Sequence, residues 1–256
     1  RLGEKPLLYA TGPDNTVYFA SEIGALVASG AIPVEPDVEA INRYFHFRFV
    51  PEPATPLLHV RKLRAGHLMA LSPDSPQPAP RQYWNVSAIP PLHGDPVEII
   101  RADLEDIGRI IVRSDVPVGV ALSGGLDSSI VASLAVRHSP GTVTAFSVGY
   151  EGRPACDERA DASAFAQHLG IDMVEVELSA GDVVSGFEGL VADMSEPVAD
   201  AAGSSYRALM QAARRAGIKV MFQGQGADEL FWSYGWMRQA LAENEARDAM
   251  PSALAA

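Results

Sequence analysis

Apolar positions change their spacing along the chain, and each change predicts an element. Leu7–Ala10 and Val17–Ala20 are short runs rich in strand formers. The turn residues Thr11-Gly12-Pro13-Asp14-Asn15-Thr16 separate them, which predicts a β-hairpin. Ser21 is placed to cap a short helix through Ser29, stopped by Gly30. Asp37 is placed to cap a second helix, with Val38, Ile41, Tyr44 and Phe45 on one side of it. His67–Leu71 predicts a further strand.

From Ser72 to Pro80 the sequence holds four prolines in nine residues, and Pro90-Pro91 follows shortly after. Proline has no N–H for a ladder and breaks a helix interior, so residues 73–91 read as an extended connector. It separates a first domain, residues 1–72, from a second, residues 92–256.

Beyond it, Val97, Ile100, Leu104, Ile107 and Ile111 are spaced three, four, three and four, predicting a helix with one buried stripe. Val116–Leu122 is a continuous apolar run, the signature of a strand covered on both faces. Helix Ser128–Arg137, strand Val143–Val148, helix Asp157–Leu169 and strand Met173–Leu178 follow in turn. Next come helices Asp182–Asp193 and Ser204–Ala216 and strand Lys219–Phe222, then a tail of helical composition after Trp236. This alternation predicts an α/β fold, a doubly wound parallel sheet with helices on both faces.

Composition narrows the functions. Lys plus Arg number 20 and Asp plus Glu 32, a net charge of −12. That argues against nonspecific binding to nucleic acid or anionic lipid, which needs clustered positive charge. Val116–Leu122 falls far short of the roughly 18 apolar residues a membrane span requires. One cysteine, Cys156, forms neither an internal disulfide nor a zinc cluster, as suits a reducing, cytoplasmic compartment.

In open parallel sheets, ligands bind beyond the carboxyl ends of the strands. After Leu122 comes Ser123-Gly124-Gly125-Leu126-Asp127-Ser128-Ser129, running straight into a helix. Adjacent glycines let backbone N–H groups approach an anion, and the helix start turns its dipole to the same point. Three serine hydroxyls add donors. Asp127 is an acid where an anion should bind, which makes sense if a divalent cation bridges carboxylate and phosphate. The bland alternative is a serine-glycine turn that caps a helix. A Walker-type loop is excluded, because no Gly-Lys pair occurs in the chain. A serine hydrolase with Ser123 as nucleophile would need an acid and a later histidine, and His138 and His168 lie inside or at the end of predicted helices.

The Ser123–Ser129 loop resembles the pyrophosphate loop of the N-type ATP pyrophosphatases, and the chain is most similar to glutamine-dependent asparagine synthetases. Phe146-Ser147-Val148-Gly149-Tyr150 resembles that family's strand end near the base. Gln223-Gly224-Gln225-Gly226-Ala227-Asp228-Glu229-Leu230-Phe231 resembles its second signature loop, with Tyr234 beyond it. Glu196-Pro197-Val198-Ala199-Asp200 resembles its Glu-Pro-x-Ala-Asp stretch. Gly3–Tyr9, Phe19–Ile23, Arg61–Leu63 and Gly66-His67 resemble the last part of its α+β, Ntn-type glutaminase domain.

The resemblance implies an adenine-nucleotide α-hydrolase-like fold. It implies activation of aspartate by ATP to an acyl-adenylate, then amidation by ammonia from glutamine to asparagine, with AMP and pyrophosphate released. Ser123, Gly124, Gly125, Ser128 and Ser129 would hold the pyrophosphate portion. Leu122, Val148, Gln223 and Gly224 would contact the nucleoside, and Asp127 and Asp228 would hold Mg²⁺. Gln225 and Asp228 occupy catalytic positions, with Glu229 and Tyr234 beside them. The resemblance also allows a homodimer.

Three departures stand out. Gln225 lies where many members carry glutamate, and being neutral it is neither carboxylate ligand nor base. Trp232 stands where glycine is common. The chain begins at Arg1 without the family's N-terminal cysteine nucleophile, and Cys156 cannot replace it. The chain therefore reads as an internal fragment or a truncated relative that does not hydrolyse glutamine. A related amidotransferase or cyclase acting on another carboxylate, and a silent nucleotide-binding module, are the competing readings.

Overall fold

A computed structural model describes residues 1–72, 78–200, 202–231 and 233–248. Contacts divide the chain into two units. Residues 1–93 group with 184–204, and residues 94–183 group with the described chain from 205 onward.

In the first unit β1 (Leu8–Thr11) pairs antiparallel with β2 (Val17–Ala20), Leu8 opposite Ala20, which is the predicted hairpin. β3 (Val60–Lys62) adds on the other side of β1, giving the order β2-β1-β3. Two of its three residues are cationic, so no apolar run announces it. Leu8, Ala10 and Val60 pack with Ile23 and Leu26 of α1 (Ile23–Ala28) and with Ile32. The expected serine cap is absent: the residue before α1 is Glu22, and its side chain makes no capping bond.

Asp37 does cap α2 (Val38–Phe47), accepting the Ala40 N–H at 2.9 Å. The predicted apolar side is only partly inward. Ala40 is buried with Val50 and Ala54, and Ile41 and Tyr44 are half-buried, whereas Val38 and Phe45 are 77% and 75% exposed. β4 (His67–Leu68) is shorter than expected because its one partner, β5 (Arg81–Gln82), pairs with just two residues. Between them, connector residues 73–77 lie outside the described residues, as do Trp232 and the last eight residues.

The second unit opens with α3 (Pro96–Ile111). Four parallel strands follow: β6 (Val118–Ala121), β7 (Val143–Tyr150), β8 (Asp172–Leu178) and β9 (Val220–Phe222), in the order β8-β7-β6-β9. α4 (Leu126–His138) and α5 (Arg159–Leu169) cover one face, burying Ala132, Ala135, Ala162 and Ala166 against Val118, Val120, Leu122, Val143 and Ala145. α7 (Gly203–Arg215) covers the other, burying Leu209, Ala212 and Ala213 against Phe146. This is the doubly wound arrangement expected from the alternation. Val118, Val120 and Phe146 are fully buried, and each is worth about 1.5–3 kcal/mol relative to exposure. α6 (Ala180–Asp193), most of which groups with the first unit, precedes α7 in the chain, while the short α8 (Ala227–Phe231) and α9 (Gly235–Asp248) follow β9.

The α3 stripe departs from expectation. Leu104 is half-buried, but Val97, Ile100, Ile107 and Ile111 are 38–58% exposed. The helix meets α4 through Gly108, where a methyl group would lie 3.1 Å from Leu134 and 3.0 Å from His138. Glu105, on the same side, holds His138 at 2.8 Å and pairs with Arg137. The contact centres on this small, polar line, so the wider apolar stripe overruns the neighbour that covers it.

Candidate functional site

The candidate residues gather at the carboxyl ends of β6, β7 and β9, where an open parallel sheet leaves its crevice. Leu122, buried, directly follows β6 and donates its N–H to the Phe146 carbonyl of β7 at 2.9 Å. The chain then turns at Ser123, Gly124 and Gly125. Gly124 has φ +83°, and a Cβ there would lie 2.8 Å from Asp161 Cβ and 3.1 Å from the Ala162 nitrogen at the start of α5. Only glycine fits. Helix α4 begins at Leu126, two residues earlier than predicted, so Asp127 lies within its first turn. The first N–H that reaches a helical carbonyl is that of Ser129, to Gly125 at 3.1 Å. The N–H groups before it face the loop as an anion-binding helix start.

The serines divide their work. Ser128, 7% exposed, accepts the Ser123 N–H at 3.2 Å, donates to the Gly125 carbonyl at 3.1 Å and lies 3.1 Å from Ser123 Oγ. Ser123 Oγ also accepts the Gly125 N–H at 3.2 Å. Ser128 therefore pins the loop from beneath, and exposed Ser123 is presented outward. Neither serine meets a histidine. His138 is tied to Glu105, and the His168 ring lies 6.0 Å from Phe165, which removes the hydrolase reading.

Gln223 and Gly224 follow β9. A Cβ on Gly224 would lie 2.8 Å from both the Asp127 carbonyl carbon and the Ser128 nitrogen, so the second signature loop rests on the first. Gln225 donates an amide N–H to the Tyr206 hydroxyl at 2.5 Å. Its neighbour Ser205 binds the Tyr150 hydroxyl at the end of β7, at 2.7 Å. The first turn of α7 thus contacts two of the strand ends that frame the loop. No motif marked Ser205 or Tyr206 in the sequence.

Asp228 and Glu229 fall in the first turn of α8. Asp228 accepts from Ser233 Oγ, and Glu229 accepts from Tyr234 at 3.3 Å. Desolvation, then the charges of Glu229 and Asp228, push the Tyr234 hydroxyl above its ordinary pKa. Its ring stacks on Trp236 with centroids 5.9 Å apart.

Val148 is half-buried near the end of β7, opposite Val176 of β8. Next to it, Gly149 leaves room for the guanidinium of Arg159, a residue the sequence did not single out. The signal was present: a lone glycine inside a strand marks a close approach. Glu196–Asp200 belongs to the first unit, where Glu196 lies 2.7 Å from Lys62 and the Ala199 N–H bonds the Arg48 carbonyl at 2.8 Å. Cys156 is exposed in the loop after β7.

A shallow groove of about 540 Å³ opens between α3 and α4, lined by Val97, Ile100, Leu104, Leu126, Ile130 and Phe165 among others. Its two arginines, Arg101 and Arg137, are paired with Glu98 and Glu105, so this mostly apolar groove is distinct from the strand-end crevice it borders at Ser129. Among the described residues no three His, Cys, Asp or Glu side chains gather as a metal site. The first loop carries one carboxylate, Asp127, and the second carries two, Asp228 and Glu229. That suits a cation completed by phosphate oxygens and water rather than an all-protein cage.

The asparagine synthase family model matches residues 100–256, and a glutamine amidotransferase domain model matches residues 1–84. The chain is 34% identical over 241 residues to asparagine synthetase [glutamine-hydrolyzing] 1 of Bacillus subtilis, covering 94% of this chain and 37% of the relative. It is 34% identical over 251 residues to a putative asparagine synthetase [glutamine-hydrolyzing] of Mycobacterium tuberculosis H37Rv, with the same coverage. It is 30% identical over 258 residues to amidase chry2 of Gibberella zeae, covering 93% of this chain and 37% of that protein. The chain thus spans little more than a third of the length of these relatives.

Proposed function

Because the chain belongs to the asparagine synthase family, we propose that the protein carrying it is an ATP-dependent carbon–nitrogen ligase that converts aspartate to asparagine. The single observation that supports this best is the seating of Gly224 on Asp127 and Ser128, which joins two glycine-rich loops into one cradle. An aspartate carboxylate oxygen bonds to the α-phosphorus of ATP, and the bond to the bridging oxygen breaks with pyrophosphate leaving. Ammonia, drawn from glutamine elsewhere in the protein, then bonds to the acyl carbon, loses a proton, and displaces AMP.

The chain's own residues supply position and charge. The backbone N–H groups of Gly124, Leu126 and Asp127 face the departing pyrophosphate, and the α4 dipole favours negative charge there. Ser123 donates from its hydroxyl, Ser128 keeps the loop in shape, and Ser129 adds a donor from the first turn. Leu122, Val148, Gln223 and Gly224 border the nucleoside, Leu122 and Val148 through backbone and apolar surface. Asp127 and Asp228 would hold Mg²⁺, which when bound neutralises and orients the phosphate oxygens. Gln225 and Asp228 stand beside the acceptor, with Glu229 and Tyr234 shaping the wall behind them.

The reading extends to small-molecule substrates, a homodimer, no nucleic acid and a cytoplasmic location. The net charge of −12 supports the absence of nucleic acid. Among the described residues no helix is long and apolar enough to cross a membrane. A second reading, amidation or cyclisation of a carboxylate other than aspartate, is favoured by Gln225, whose amide is engaged by Tyr206 and carries no charge.

Pyrophosphate release by the full-length protein, measured with and without aspartate and ammonia, separates these. Release that needs both supports the ligase, and Asp127→Asn and Asp228→Asn should each lower it by about 100-fold. Release with another carboxylate but not aspartate selects the second reading. No release above background, with Mg²⁺–ATP binding unchanged by Asp127→Ala, overturns both.

A further inference from the structure

Arg159 is the largest fully buried side chain of the second unit, 2% exposed. Burying a guanidinium is costly unless every donor is matched by an acceptor, and here the match is dense. Nε lies 3.0 Å from both oxygens of Asp157, Nη2 donates to Asp157 Oδ2 at 2.6 Å and to the Tyr150 carbonyl at 3.1 Å, and Nη1 donates to Glu177 at 3.1 Å. Asp157 is itself only 5% exposed. Its Oδ1 also accepts the Arg159 N–H at 3.0 Å, fixing the start of α5.

Space for this group exists because residue 149 has no side chain. A Cβ on Gly149 would lie 2.3 Å from Arg159 Nε and 2.8 Å from Cζ. Gly149 pairs with Glu177 across β7 and β8, so the guanidinium lies over that pair and ties the ends of both strands to the loop between β7 and α5. Val148, adjacent to Gly149, borders the nucleoside in the function proposed above. None of the donors of Arg159 reaches the Ser123–Ser129 loop.

We propose that Arg159 is a positioning residue: its planar fork holds the carboxyl ends of β7 and β8 and thereby sets the nucleoside end of the site, whereas the pyrophosphate loop, which touches α5 at Asp161 and Ala162, is held in shape by its own bonds through Ser128. The inference rests on the ATP reading. Lysine carries the same charge but, with all its donors on one nitrogen, cannot reproduce the contacts that Nε, Nη1 and Nη2 make to Tyr150, Asp157 and Glu177.

The test is calorimetry on the full-length protein and its Arg159→Lys variant, with Mg²⁺–ATP and Mg²⁺–pyrophosphate as probes. The variant should bind ATP about 10-fold more weakly, as lost bonds at a bidentate site imply, while pyrophosphate affinity stays within about 2-fold. Equal weakening of both ligands marks a merely structural arginine and overturns the proposal, as does unchanged ATP affinity. If Arg159→Lys does not fold, Glu177→Gln loosens the fork from its exposed side. It should give the same selective loss at smaller size, and an unselective or absent loss overturns the proposal. An unmodified protein that binds neither probe overturns the ATP reading and this inference with it; binding by the unmodified protein without selectivity in the variants overturns this inference alone.

Discussion

Gly224 rests on Asp127: a methyl group there would lie 2.8 Å from the Asp127 carbonyl carbon and 3.0 Å from its Cβ. Two loops far apart in sequence meet because their strands, β6 and β9, are neighbours in the sheet. The contact is backbone against backbone, so no rotamer change can relieve a side chain inserted between them.

Gly224→Ala should therefore force the loops apart. Overpacking of this kind costs about 1–3 kcal/mol. The expected outcome is a Tm lowered by a few degrees and Mg²⁺–ATP affinity reduced by about 10-fold, read by thermal unfolding and calorimetry. Full affinity in a folded Gly224→Ala protein would separate the loops functionally.

Ser128 provides a second test, because it binds three partners inside its own loop. Ser128→Ala leaves the Ser123 N–H without its acceptor and should cost about 1–2 kcal/mol of stability. Ser129→Ala should cost less than about 0.5 kcal/mol, although both weaken ATP binding. Denaturant titration of the two variants distinguishes them.

Acid should reach the second unit through Asp157. Its hydrogen bonds from Arg159 hold the carboxyl down to about 2, below the ordinary 3.8. A carboxylate depressed in the folded state contributes stability above its unfolded pKa and loses it as pH falls through the folded one. The stability difference between the native protein and Asp157→Asn should be constant above about pH 4 and shrink between about pH 4 and 2. Unfolding midpoints measured across that range check the sign, and a difference that grows on acidification contradicts the assignment.

Lys62 and Glu196 supply a prediction for the first unit. Their side chains are 18% and 25% exposed, and Lys62 also donates to the Val50 carbonyl at 2.7 Å. A double-mutant cycle with Lys62→Met and Glu196→Gln should give a coupling of about 1 kcal/mol. Limited proteolysis near residues 194–204 should quicken in either single variant. A coupling near zero would mean the pair does not hold that segment.

Much of this was legible in the sequence. Most of the strand–helix alternation from Val116 to Phe222 is present, legible because β6 and β7, covered on both faces, are apolar, although most of α6 groups with the first unit and β8 carries Asp172, Glu175 and Glu177. Both glycine loops fall at strand ends. Periodicity failed where burial depends on what lies opposite. Val97, Ile100, Ile107 and Ile111 share one side of α3, but the helix meets its neighbour through Gly108. β3 escaped because Arg61 and Lys62 hide its pairing. Arg159 escaped because a buried cation is defined by partners on other segments, and no spacing along the chain announces Tyr150, Asp157 and Glu177 together.

The order of strands carries a consequence for synthesis. β6 pairs with β7 early, while its other edge waits for β9, which leaves the ribosome about seventy residues after β7 closes, or some four to fourteen seconds at ordinary elongation rates. Until Val220–Phe222 arrives, the nascent chain carries a half-built cradle and an open edge at Gly119, whose bare backbone later receives Met221. A pause or a chaperone acting in that interval would act on a species that holds the first loop without the second.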